Sequence, residues 1–419
     1  MKILLCNKFF YRRGGDCIYT IELEQLLRSH GHEVAVFAMH HPDNISSPWS
    51  KYFPDEISFH PSTNMWKAFM RPMGTNDVKL KIEALINDFH PDVMHLGNIH
   101  SQLSPILAEV AHNHAIRVVW TLHDYKLLCP RYDCLQPNGS ICEECFSPNR
   151  LSIDNNKKIP NPTTCLKHRC IKNSLLASFI GWAEMKKWNR EKLCFISDKW
   201  ICPSRFMLQK MVQGGFPNEK LIHLCNFIDV EKCLMDGYSQ REDYYCYVGR
   251  LSHEKGIETL IDAASQLPYR LIIIGDGPLR NQLNEKIQQL SCQDRIQLAG
   301  QKNWEQIKHL VGHARMLVIP SEWYENNPLS ILEAKCLGTP ILGARIGGIP
   351  ELINPISSSE FLDDVDGDLF IPRDVADLTR KINSLWTRPF DYDQIAKRSQ
   401  QQFSAETYYG KLMKLYSPS

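Results

Sequence analysis

The chain has 419 residues, too many for one ordinary hydrophobic core, so two domains are the starting expectation. Its 48 basic and 47 acidic residues give a net charge of +1, which excludes a global field for nucleic acid and leaves any anion site to local arrangement. No run approaches the roughly 20 apolar residues of a membrane-spanning helix, and the start, MKILLCNKFFYRRGG, lacks a long apolar core and a small-residue cleavage site; the 15 cysteines therefore fit a reducing cytoplasm.

In chain order, Lys2 to Cys6 reads as a strand, Gly14-Gly15-Asp16 as a loop, Ile18 to Ser29 as a helix and Glu33 to Ala38 as a second strand. That is a βαβ unit with parallel strands. The two glycines either turn the chain or let the backbone approach a ligand. Further strands are expected at Asp92 to Leu96 and Arg117 to Leu122, the latter followed by His123-Asp124. A histidine placed there can hydrogen-bond a ligand or serve the structure alone.

Between Cys129 and Cys170 lie six cysteines, Cys129, Cys134, Cys142, Cys145, Cys165 and Cys170, with His168 nearby. Cys142 and Cys145 have the spacing to place two thiolates on one ion. With Cys129 and Cys170 they form the expected ligand set of a structural zinc, which would order an insert, 129–170, rich in Pro, Asn and Lys. The spacing is not that of a standard zinc finger. Free buried thiols and a redox-sensitive cluster are the competing readings.

Two segments mix aromatic and basic residues: Met65 to Arg71, and Trp182 to Lys192. Such segments either lie on an anionic membrane surface or are amphipathic helices whose aromatic face is in the core.

The second half repeats the first. Tyr244 to Val248 is a strand, Ile257 to Leu267 a helix and Arg270 to Ile274 a strand, with further strands at Arg295 to Leu298 and Met316 to Ile319. Arg250 and Lys255 follow the first of these strands and Gly256 opens its helix, which sets two cations and free backbone N–H groups where anions bind in such folds. Gly275-Asp276-Gly277 is followed by Pro278-Leu279-Arg280 with no third glycine, so the fingerprint of a nicotinamide dehydrogenase is poor. The expected architecture is two doubly wound α/β domains facing a cleft. The first is 1–226, completed by a C-terminal helix over 395–419; the second is 227–394, with the hinge near Asn226 to Asp229.

Arg315 to Ser321 is an apolar run of strand length, and Pro328 to Leu337 has helical spacing closed by Gly338. Glu325 therefore sits in a strand-to-helix loop. Glu333 shares a helix face with Leu329, Cys336 and Leu337, an apolar stripe where an ionised carboxylate is expensive unless something binds it. Otherwise both acids are simply solvated.

The run from Glu325 to Glu333 resembles the Glu-x7-Glu signature of family 4 of the retaining glycosyltransferases, enzymes of the GT-B fold that use nucleotide sugars. The likeness extends through Gly338-Thr339-Pro340, Gly347-Gly348-Ile349-Pro350-Glu351, Val248-Gly249-Arg250-Leu251 and Glu254-Lys255-Gly256. It implies two Rossmann-like domains, with Glu325 beside the donor sugar and Glu333 on the nucleotide ribose. It also implies Arg250 and Lys255 on the diphosphate, Gly15 near the donor phosphate and His123 on the sugar. Asn326, Asn327 and Leu329, which lie between the two acids, join the donor-binding set.

The implied reaction moves a sugar from a UDP- or GDP-sugar to a glycan or lipid-linked glycan, with retention of configuration. It needs no metal or cofactor, because the two cations can carry the charge. Surface polysaccharide synthesis would suit it, in the cytoplasm or at the inner face of the membrane. A noncatalytic sugar-nucleotide-binding protein would keep Arg250, Lys255 and Glu333; the presence of Glu325 and His123 argues against it.

Overall fold

A computed structural model of the chain describes residues 1–57, 69–147, 152–154, 157–159, 161–356 and 364–417. It contains two compact units, Met1–Cys225 with Tyr409–Ser419, and Asn226–Tyr408.

The first unit carries strands β1 (Lys2–Cys6), β2 (Glu33–Phe37), β3 (Val93–Leu96), β4 (Arg117–Thr121), a small antiparallel pair β5 (Ser152–Asp154) and β6 (Lys157–Ile159), then β7 (Lys199–Cys202) and β8 (Leu221–His223). Apart from β5 and β6 they form one parallel sheet in the order β2-β1-β3-β4-β7-β8. Ile3 pairs with Val34 on one side and Val93 on the other, and Val119 with Lys199. Parallel strands covered on both faces need nearly continuous apolar runs, and KILLC, EVAVF and RVVWT supply them. The helix Gly15–Ser29 crosses from β1 to β2 and buries Tyr19, Ile21, Leu23 and Leu27.

The second unit repeats the design with β9 (Tyr244–Val248), β10 (Arg270–Ile274), β11 (Ile296–Gly300), β12 (Leu317–Ile319), β13 (Ile341–Ala344) and β14 (Gly367–Phe370). Its parallel order is β11-β10-β9-β12-β13-β14. The chain fills one side of β9 first and then returns to the other. The topological switch point, where ligands bind in doubly wound sheets, is therefore at the C-terminal ends of β9 and β12.

The sequence suggests one terminal helix from Ile395, whereas the structure has two, Tyr392–Gln402 and Ala405–Tyr416. The first starts on Asp391, whose carboxylate accepts from the Gln394 N–H, and packs on the helix Leu329–Cys336, where Gln400 donates to the Cys336 carbonyl at 2.9 Å. It belongs to the second unit, and only Tyr409 onward belongs to the first. There the Tyr416 hydroxyl lies 2.6 Å from His95 Nδ1 and Arg117 Nε donates to the Leu415 carbonyl at 2.7 Å.

A buried ion group braces the helix Leu329–Cys336. Lys335 Nζ is 2.8 Å from Asp366 Oδ2, which also takes Arg398 Nη2 at 3.0 Å, while Lys335 donates to the Leu352 carbonyl at 2.6 Å. Removing one partner would strand a buried charge, so the group pins that helix in place.

Candidate functional site

In the second unit the structure brings two separately expected residues together. Lys255 follows β9 and Glu325 follows β12; seventy positions apart in sequence, they meet at the switch point with Lys255 Nζ 2.6 Å from Glu325 Oε1. The same oxygen accepts from Ser321 Oγ at 2.8 Å and from the Trp323 indole N–H at 2.9 Å. Oε2 has no hydrogen bond among the described residues. Burial pushes the Glu325 carboxyl upward, but the Lys255 ammonium and these donors together hold it below the usual carboxylate range. Glu325 thus stays ionised although only 6% exposed. The Lys255 ammonium also lies 5.1 Å from the centre of the Trp323 ring, which limits where it can swing.

Glycines make this geometry accessible. Gly256 has φ +66°, and a Cβ there would lie 1.9 Å from the Pro320 carbonyl oxygen. Gly347 has φ +60°, and a Cβ there would lie 2.4 Å from the Glu325 carbonyl oxygen. The loop that carries Glu325 is therefore gripped on two sides by backbone that no side chain could approach, and the Gly348 N–H donates to the Glu325 carbonyl at 2.7 Å.

Arg250, in the loop between β9 and Lys255, is exposed, and its carbonyl accepts from the Tyr247 hydroxyl at 3.0 Å. Asn327 is buried; its Oδ1 accepts from the Asn226 N–H at 3.1 Å while Asn226 Nδ2 donates to the Asn327 carbonyl at 3.0 Å. Its side chain is thus committed to fixing the start of the unit. Asn326 is half-buried in the same loop, Leu329 opens the following helix, and Glu333 is half-buried in it.

Gly275 and Gly277 serve a different purpose from a dinucleotide fingerprint. A Cβ on Gly275 would lie 2.0 Å from the Gly249 oxygen, and one on Gly277 2.4 Å from the Leu251 oxygen. They let the loop after β10 lie against the loop that carries Arg250.

The corresponding edge of the first unit sets histidines beside the carboxylates of Asp16 and Asp124. His123 follows β4, and its ring meets the Tyr19 ring edge-on at 4.9 Å. Burial pushes its pKa down to about 4, against the opposing pull of Asp16. Beneath it, His95 Nε2 is 2.9 Å from Thr121 Oγ1, which is 3.1 Å from the Tyr19 hydroxyl. Asp124 accepts from the Lys126 N–H at 2.9 Å and from Asn98 Nδ2 at 3.3 Å.

Asp16 Oδ2, Asn98 Oδ1 and His123 Nε2 are buried atoms without a hydrogen-bond partner among the described residues. Buried polar atoms seldom go unpaired, so three on one sheet edge mark a place suited to a polar ligand. The sequence reading missed Asp16 and Asn98, as it missed Ser321 and Trp323; position at the C-terminal end of a strand was the available signal. Gly14, φ −157°, is extended and caps the helix through its carbonyl, and Gly15 opens that helix.

In the insert, Cys145, Cys165 and Cys170 pack in one small core with Ile171, and Cys129 and Cys134 are buried as well. Cys142 is half-buried. Among the described residues no group of three or more His, Cys, Asp or Glu side chains is placed to hold a metal ion, so the zinc expected at Cys129, Cys142, Cys145 and Cys170 has no described ligand set.

Of the two aromatic and basic segments, 65–68 lies outside the described residues. Arg71 is buried and pairs with Asp77 at 3.1 Å, while Trp188 is buried and donates to the Pro72 carbonyl at 2.9 Å. Both side chains turn inward. No helix among the described residues is long and apolar enough to cross a membrane.

Comparison with known proteins bears on both units. Residues 13–142 match the family described as Glycosyltransferase Family 4, and residues 237–402 match Glycosyl transferases group 1. An uncharacterized glycosyltransferase of Methanocaldococcus jannaschii is 30% identical over 164 residues, 38% of this chain and 35% of that protein. The match thus spans about a third of that relative's length. An uncharacterized 42.6 kDa protein in the cps region of Klebsiella pneumoniae is 22% identical over 401 residues, 91% of this chain and 96% of that protein. HepE of Anabaena, solved in complex with UDP and glucose, superposes with a TM-score of 0.64 at 18% identity, covering 99% of this chain and 98% of that one. That likeness shows the same two-domain, Rossmann-like GT-B fold.

Proposed function

Because the chain belongs to the GT-B glycosyltransferases of family 4, we propose that it moves a sugar from a nucleotide sugar to a glycan or lipid-linked glycan, with retention of configuration. The observation that carries this reading is the 2.6 Å pair of Lys255 and Glu325 at the switch point, with exposed Arg250 in the same loop as Lys255. Sugar transfer builds negative charge on a departing diphosphate, and cations fixed in advance stabilise that charge at no cost in reorganisation. Arg250 and Lys255 fill this role.

Glu325 holds Lys255 through Oε1 and turns Oε2 toward a donor-sugar hydroxyl. Glu333 takes the nucleotide ribose. His123, neutral at physiological pH, meets a sugar hydroxyl without adding charge. In the proposed step the bond from the anomeric carbon to the diphosphate oxygen breaks and a bond to the acceptor oxygen forms on the same face. The acceptor proton passes to the leaving diphosphate. The HepE complex, which contains UDP and glucose, supports a UDP-sugar donor. The relative in the cps region supports a place in surface polysaccharide synthesis.

The test is donor consumption with and without an acceptor extract. Acceptor-stimulated release of nucleoside diphosphate is expected, with an α-linked product from an α-linked donor. Binding without turnover under all conditions would favour a noncatalytic sugar-nucleotide-binding protein, and an inverted product would overturn retention.

A further inference from the structure

The helix Leu175–Lys187 of the first unit has a face that the rest of its unit leaves uncovered. Successive residues of an α-helix project about 100° apart, so Leu175, Leu176, Phe179, Ala183, Lys186 and Lys187 fall within an arc of about 120°. Leu175, Leu176 and Phe179 are 57%, 58% and 43% exposed, and Lys186 and Lys187 are exposed as well. The opposite side is buried: Ser178, Gly181 and Glu184 face inward, and a Cβ on Gly181 would lie 2.5 Å from Ile171 Cδ1. The exposed face is thus fixed by packing.

Its chemistry is ordered along the helix. Three large apolar side chains form its first half, exposed Lys172 stands just before it, and Lys186 and Lys187 close it. The one acid of this helix, Glu184, is buried and pairs with Lys126 at 2.8 Å, so it does not offset the lysines. Lys187 also donates to the Met73 carbonyl, which leaves Lys172 and Lys186 as the more mobile charges.

We infer that this face, apolar in the middle and basic at both ends, seats the protein on an anionic lipid surface. Leu175, Leu176 and Phe179 would enter the boundary between headgroups and acyl chains, while the lysines reach up to lipid phosphates. A second copy of the chain fits less well. A two-fold contact would place lysines against lysines with no acid to separate them, and three apolar residues fall short of the roughly 20–30 residues per side of a stable interface. The inference stands apart from the transferase reading, because it needs neither donor nor acceptor.

The experiment is cosedimentation of the full chain with vesicles of phosphatidylcholine alone or mixed with phosphatidylglycerol. Binding is expected on the anionic vesicles, at least fivefold weaker on neutral ones, and reduced by added salt. The triple variant Leu175→Ser, Leu176→Ser, Phe179→Ser should bind at least tenfold more weakly with unchanged circular dichroism, since all three side chains are exposed. Lys172→Glu with Lys186→Glu should lose the preference for anionic vesicles. Absence of binding to either vesicle, equal binding to both, or wild-type binding by the folded triple variant would overturn the inference. So would a wild-type dimer in sedimentation velocity that the triple variant converts to monomer.

Discussion

The two units present the same edge of the same kind of sheet, yet they furnish it in opposite ways. After β9 and β12 the second unit has a paired lysine and glutamate, held by Ser321 and Trp323 and gripped by glycine backbone. After β1, β3 and β4 the first unit has neutral histidines and three buried polar atoms with open valences. A prebuilt, charged edge suits a constant, highly charged group such as a diphosphate. An edge with unsatisfied hydrogen-bonding groups suits hydroxyls, whose positions differ from one sugar to another.

The strongest way to break this comparison is to remove the charge from the second edge. Arg250→Ala with Lys255→Ala is expected to lower kcat/KM by roughly three orders of magnitude or more. Lys255→Ala alone should also cost about 3 kcal/mol of stability, since it strands the buried Glu325 carboxylate; urea unfolding reads this. Near-normal transfer by the folded double variant would remove the charged edge from the mechanism.

The two acids sharpen the picture within that edge. Glu325→Gln should mainly lower kcat, by roughly 100-fold, because its charge acts where positive character grows on the sugar ring. Glu333→Gln should mainly weaken donor binding, by roughly tenfold, since a ribose hydrogen bond is made alike in ground and transition states. Calorimetry beside steady-state rates separates the two, and exchanged behaviour would reverse the assignments.

Glycines offer a second contrast. Gly256→Ala places a side chain 1.9 Å from the Pro320 oxygen at φ +66° and should destabilise the protein by about 3 kcal/mol. Gly14→Ala, extended and meeting only Asp16 Oδ1 at 3.5 Å, should change stability by less than about 1 kcal/mol. Equal losses in thermal unfolding would show that the two loops do not differ as described.

The first edge is read through a pH dependence. Burial, aided by His123, pushes the pKa of His95 down to about 3 from 6.5, so the native state keeps it neutral while the unfolded chain takes up a proton below pH 6.5. Its contribution is whole above pH 6.5 and falls by about 1.4 kcal/mol per pH unit as pH drops from there toward 3. Between pH 7 and pH 5 the wild type should therefore lose about 2 kcal/mol more than His95→Gln, read from urea midpoints.

Much of this was legible in the sequence. KILLC, YYCYV and RLIII are near-continuous apolar runs, as buried parallel strands must be, and their bounds agree with β1, β9 and β10. β13 escaped because Gly343 interrupts ILGA; a Cβ there would lie 2.5 Å from Ile349 Cγ2, so packing rather than propensity placed the glycine. β14 escaped because it carries Asp368, buried against Lys381. The terminal helix was read as one because neither Gly nor Pro marks its break at Phe403 and Ser404.

Glu325 and Lys255 were each visible through their motifs. Their pairing was not, because it depends on a sheet order that puts β9 beside β12. The cysteine spacing suggested one ion; what the fold adds is that Cys145, Cys165 and Cys170, distant in sequence, share one small buried core with Ile171.

The central claim is that the pair of Lys255 and Glu325, with Arg250, forms the seat of a nucleotide-sugar donor. Thermal unfolding of the wild type and of the Arg250→Ala, Lys255→Ala variant against a panel of UDP-, GDP- and ADP-sugars tests it most directly, because a ligand that binds only the folded state raises the midpoint in proportion to its affinity and concentration. At least one donor should raise the wild-type midpoint by several degrees and leave the variant unmoved. An equal rise in both proteins, or no rise in the wild type with any nucleotide sugar, would contradict the account.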